Sequence, residues 1–153
     1  MQKTGVRTFE AAAFLRRCGA DVTRVRKMFR EDANDYRAKA DAVGQAKIYM
    51  DEYAISVCHG EDTSAPTVVC AQAANELLNI KGIKASFVLT QYNQMIYISA
   101  RSIDEVNVQV IMEKLGGGGH MNVAGAQLKD ISVEMACERI RDTLKEMKES
   151  GEI

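Results

Sequence analysis

Tryptophan is missing from this chain of 153 residues, proline occurs once and histidine twice, and each shortage narrows what the chain can do. A single proline, Pro66, excludes a proline-rich extended linker. Two histidines, His59 and His120, and four scattered cysteines without a CxxC pair exclude the usual zinc-ligand spacings. No apolar run approaches the roughly 18 to 20 residues of a membrane span, and the charged N-terminus lacks a signal-peptide core. A soluble chain with reduced thiols in the cytosol is therefore expected. Charge of one sign is lacking too. Twenty basic and twenty-one acidic side chains leave a formal charge of -1, which favours no polyanionic partner overall.

What charge there is lies unevenly. Residues 1–30 hold eight Lys or Arg (Lys3, Arg7, Arg16, Arg17, Arg24, Arg26, Lys27, Arg30) against Glu10 and Asp21, whereas residues 31–62 lean acidic. Solvated helix faces and the wall of an anionic cleft account for the basic stretch equally well. The aromatics on which single-strand binders stack bases are few there: only Phe9, Phe14 and Phe29, all at apolar-face positions.

At 46% hydrophobic residues the chain can bury a core. Three helices are expected first: one over 9–18 capped by Thr8 and stopped at Gly19, one over 22–30 capped by Asp21, and a polar, alanine-rich one over 32–49 that reads as a connecting arm. Then the texture changes. A β-branched strand is expected over 53–59 and a helix over 67–80. Two strands, 84–91 and 94–102, should be joined through Tyr92 and Asn93. Residues 106–115 have helical spacing, although their valines leave a strand open. A glycine loop, a short strand over 123–128 and a helix over 132–148 complete the order. The fold class is α/β, a mixed β-sheet flanked by helices and preceded by a helical segment. The boundary is expected near residue 50, giving 1–50 and 51–153 as the two parts.

Chemistry concentrates in "EKLGGGGHMNVAGAQL", where Gly116, Gly117, Gly118 and Gly119 precede His120. Consecutive amides without Cβ atoms can curl around an anion, and an adjacent imidazole can donate to it; a flexible linker or a close-packing turn would use the same residues. Upstream, "SARS" puts Ser99 and Arg101 on one face of an alternating strand, where a guanidinium could grip a phosphate in two-pronged fashion. Cys58 and His59 are neighbours on a strand and should point to opposite faces, which disfavours a thiolate pair. Acidic pairs such as Asp104 and Glu105 fall in turns or caps, where solvated carboxylates are the ordinary expectation.

The segment "GGGGHMNVAGA", preceded by "ISARS" and a helix, resembles the DHHA1 substrate-binding domain that follows the catalytic half of DHH phosphoesterases. The likeness covers about residues 53–148, and "TGVRTFEAAAFLRR" is similar to the tail of the DHH domain of membrane-anchored bacterial cyclic-di-AMP phosphodiesterases. That resemblance implies a parent enzyme that hydrolyses cyclic-di-AMP to pApA with two manganese ions, and a cytoplasmic position for this part. The metal ligands would lie upstream, so no catalytic or metal-binding residue is expected in this chain. Gly116, Gly117, Gly118, Gly119 and His120 would form the phosphate-facing loop. Arg101, Ser99 and Ser102 would form the recognition strand, and Asn122 would touch substrate or brace the loop. A nucleic-acid-binding module, as in single-strand exonucleases or the end of alanyl-tRNA synthetases, is the alternative. The partners implied are the nucleotide substrate, the DHH domain itself and a second copy in a homodimer.

Overall fold

A computed structural model of the chain describes residues 4–153; Lys3, counted above among the basic side chains, lies outside them. Among the described residues, those up to Asp32 form one compact unit and Ala33–Ile153 form another. The first unit holds α1 (Val6–Arg17) and α2 (Val22–Met28), neither of which has a buried residue. Gly5, not Thr8, is the N-cap of α1, so Thr8 lies inside the helix. Gly19 does stop α1, with a left-handed φ of 91°. Asp21 caps α2 by accepting from the N–H groups of Thr23 and Arg24.

The second unit is a six-stranded sheet with helices on both faces. Its elements are α3 (Ala33–Gly44), β1 (Lys47–Tyr49), β2 (Tyr53–Val57), α4 (Pro66–Leu77), β3 (Ala85–Tyr92), β4 (Met95–Ser102), α5 (Val108–Lys114), β5 (Gly118–His120), β6 (Val123–Lys129) and α6 (Val133–Ser150). The strand order is β1-β2-β3-β4-β6-β5, with β2 and β3 parallel and every other neighbour antiparallel. This is the mixed sheet flanked by helices that the pattern called for.

Alternation along each strand divides the core in two. Ile55, Phe87, Leu89, Ile96, Ile98, Ala126 and Leu128 face α5 and α6, where Ile111, Met112, Ile140, Leu144 and Met147 cover them. Ala54 and Val88 face the opposite way, toward Val69, Cys70, Ala73 and Leu77 of α4 and Ala42 of α3. Helix α3 is therefore no free arm: Ala42 is buried, and its carbonyl accepts from the Ser56 hydroxyl. It also ends at Gly44 rather than running to residue 49, because Lys47–Tyr49 pairs with β2 as β1. The β3–β4 turn is centred one residue later than expected, on Asn93 and Gln94, whose φ values of 48° and 60° are those of a type I′ hairpin.

Candidate functional site

The glycine run does not act as one loop. Gly116, with φ 79°, ends α5: its N–H donates to the Glu113 carbonyl and that of Gly117 to the Met112 carbonyl, a Schellman cap. Those two amides are thereby occupied, so four consecutive amides do not form one anion nest. Gly117 then passes so close to β6 that a Cβ would collide with the Gly125 carbonyl and with Ala126. Gly118, Gly119 and His120 form β5, the edge strand, paired with Gly125, Ala124 and Val123. A Cβ on Gly119 would strike Val123 and Ala124, and its φ of 150° is itself hostile to a side chain; a Cβ on Gly118 would meet nothing within 4 Å. An edge strand leaves backbone N–H and C=O groups open on one side.

Register brings the expected recognition residues to this edge. Arg101 on β4 pairs with Val123 on β6, which pairs with His120 on β5. Cross-strand partners share a face, and strands lie about 4.8 Å apart, so Arg101 and His120 stand about 10 Å apart at the backbone. The next row is Ser99, Gly125 and Gly118, and the one after it pairs Tyr97 with Gln127. All of these point to the α4 face of the sheet. Helix α4 covers β3 and β4 there, while His120, Val123, Gln127 and Lys129 are exposed. The result is a shelf: a wall of Arg101 and Ser99, a floor of Gly125 and Gly118, and an outer rim at His120.

Arg101 is half-buried, and burial pushes its guanidinium toward the neutral form. Its Nη1 donates to the carbonyls of Ala100 at 2.8 Å and Ala124 at 3.4 Å. No carboxylate pairs with it among the described residues, and Nη2 and Nε carry no hydrogen bond there. A guanidinium held over a glycine floor without a counter-ion is suited to an anion. Ser99 also touches the Cys70 thiol behind the wall, which burial pushes up to about 12. That thiol is inert as a nucleophile, and Cys58 is raised by burial as well, so the Cys58 and His59 pair fails as a catalytic couple.

Ser102 and Asn122 do not join the shelf. Alternation turns the fully buried Ser102 to the opposite face, where its hydroxyl donates to the Met121 carbonyl at 3.4 Å. Asn122 braces the hairpin that carries His120: its Nδ2 donates to Asp104 at 2.6 Å, and its carbonyl accepts from the Ser102 N–H at 3.1 Å. The Val108 N–H holds the Met121 carbonyl at 2.9 Å, so the β5–β6 tip is fastened to the segment following β4. Sequence reasoning missed Gly125 as floor and Val123, Tyr97 and Gln127 as neighbours. The signal lay in the alternation of "VAGAQLK", whose exposed and half-buried members are the shelf residues.

Among the described residues no three His, Cys, Asp or Glu side chains converge to hold a metal ion. No helix of the described residues is long and apolar enough to cross a membrane.

Comparison with known proteins follows the same lines. Residues 51–149 match the DHHA1 domain. The cyclic-di-AMP phosphodiesterase PdeA of Listeria monocytogenes is 47% identical over 135 residues, covering 88% of this chain and 20% of that protein. The cyclic-di-AMP phosphodiesterase GdpP of Bacillus subtilis is 42% identical over 151 residues, covering 97% of this chain and 23% of that protein. The chain thus spans about a fifth of the length of these relatives. An exopolyphosphatase-related protein from Bacteroides fragilis shares the fold, with a TM-score of 0.80 at 22% identity over 95% of this chain and 44% of that one.

Proposed function

Because the chain belongs to the DHHA1 domain family, we propose that its shelf is the substrate-recognition half of a phosphodiesterase acting on cyclic-di-AMP or related short nucleotides. The names of the relatives support that substrate class. In this reading, the ester is cleaved by a DHH half outside the shelf, of which α1 and α2 are the tail. Any manganese ions belong to that half. What this chain contributes is a grip on a phosphate that is not being cleaved: Nε and Nη2 of Arg101 take two oxygens, Ser99 offers a hydroxyl, and His120 approaches from the rim. Gly118 and Gly125 keep the floor free of side chains so that backbone and phosphate can come close. Holding one phosphate fixes the position of the other relative to the reacting groups, which lowers the entropic part of the barrier.

The observation that carries the proposal is Arg101, half-buried, without a carboxylate partner among the described residues and in register with His120 through Val123, one row from the glycine floor. Charge-assisted hydrogen bonds contribute about 1.5–3 kcal/mol each. Calorimetric titration of the chain with pApA should therefore show affinity falling roughly 10- to 100-fold for Arg101→Ala and several-fold for His120→Ala. Equal affinity of wild type and both variants would refute the assignment. Affinity that instead grew with RNA length and fell steeply with salt would favour the nucleic-acid-binding alternative.

A further inference from the structure

We infer that the row beyond the glycine floor, Tyr97 and Gln127, is a nucleobase subsite that gives the shelf its specificity. The inference rests on the phosphate reading above and extends it. A groove opens along β6, lined on this side by Thr67, Tyr97, Ser99, Gly118 and Gln127 and reached from the other face by Leu128 and by Arg139 of α6. It shares Ser99, Gly118 and Gly125 with the shelf, so a ligand whose phosphate lies against Arg101 and Ser99 can continue into it. Tyr97 and Gln127 are direct cross-strand partners one row on, about 7 Å from the Ser99 and Gly125 row at two residues of strand rise. Tyr97 is half-buried and its ring leans against Tyr92 at a tilt of 54°, which steadies it without covering it from the groove. Gln127 is exposed, and its amide has no hydrogen-bond partner among the described residues. An aromatic ring beside an uncommitted amide meets the two needs of base recognition, a surface to stack on and a donor and acceptor to read an edge. The opposite neighbour of the floor, the Arg101, Val123 and His120 row, has its guanidinium and imidazole engaged by the phosphate in this reading, around an exposed valine.

The chain is titrated with inorganic phosphate, adenosine 5′-monophosphate and uridine 5′-monophosphate, following the amides of Gly118, His120 and Arg101. Adenosine monophosphate should bind tighter than phosphate, and Tyr97→Ala should remove roughly tenfold of its affinity, the scale of one base stack, while leaving phosphate unchanged. Tyr97→Phe keeps the ring and should restore the wild-type value. Gln127→Ala, at an exposed position that leaves the fold intact, should narrow the gap between the two nucleotides. Wild-type nucleotide affinity and selectivity in both Tyr97→Ala and Gln127→Ala, with phosphate still bound at the floor, would overturn the subsite alone. Failure of phosphate and both nucleotides to perturb Gly118, His120 and Arg101 would instead overturn the phosphate reading, and this inference with it.

Discussion

At the level of single residues, four identical letters perform three different tasks. Gly116 is needed for its left-handed φ, Gly117 for space, and Gly119 for both, whereas Gly118 has room for a methyl group. Gly117→Ala and Gly119→Ala should each cost about 2 kcal/mol or more of stability, with backbone forced to move, and Gly118→Ala less than about 1 kcal/mol. Urea unfolding of the three variants would check that ranking. Gly118→Ala should nonetheless weaken phosphate binding, because it raises the floor. A second residue-level test is Thr90, wholly buried on β3 with its hydroxyl unpaired among the described residues. Replacing an unsatisfied buried hydroxyl by a methyl removes a desolvation cost, so Thr90→Val should raise the melting temperature. None of this was legible in the sequence beyond the presence of the glycines. A residue without a side chain carries no pattern, and which glycine touches what is decided by the strand that comes back beside it. The facing of Ser99 and Arg101 was legible because strand alternation fixes it. That same alternation separates Ser102 from them, a consequence the resemblance alone did not convey.

Among the elements, legibility followed length. Helix α6 was plain from its apolar stripe and its Ser132 cap, which accepts from the Met135 N–H. The three-residue strands β1 and β5 were not, since three residues cannot display a period and their place depends on partners far along the chain. Helix α3 looked too polar for a core element, yet buried Ala42, half-buried Ala38 and Val43, and the carbonyls of Ala38 and Ala42, which accept from the Cys58 thiol and the Ser56 hydroxyl, seat it against the sheet. Packing between elements also sets a pH dependence. Glu52, just before β2, accepts from Lys148 on α6 at 2.8 Å and from Lys84 before β3, and both hydrogen bonds hold its carboxyl below the usual glutamate range. A depressed acid stabilises the fold fully above its unfolded value of about 4.3 and loses that contribution as pH falls through the folded one. The urea midpoint of wild type should therefore exceed that of Glu52→Gln at pH 7, and the gap should shrink as pH falls below about 4.3. A gap independent of pH would mean that the carboxylate is immaterial. The two lysines, raised by the same contacts, keep their charge throughout that range.

On the scale of the whole molecule, the chain divides into two units of unequal depth. Helices α1 and α2 bury no residue, while β3 alone has six buried in succession. Amide exchange should be fast in the first unit and slowest in β3 and β4, and uniform protection would contradict that division. The family was legible from the order of arginine strand, helix and glycine-histidine segment, a pattern specific enough to imply the architecture. The shelf was not, because it arises where β4, β6 and β5 lie side by side, and strand order is a property of the folded sheet. The most direct measurement of the central claim is a two-dimensional NMR titration of this chain with pApA. The account predicts shifts concentrated on Ser99, Arg101, Gly118, Gly119, His120 and Gly125, and their loss in Arg101→Ala. Shifts spread over α1 and α2 with the shelf amides unmoved would contradict it.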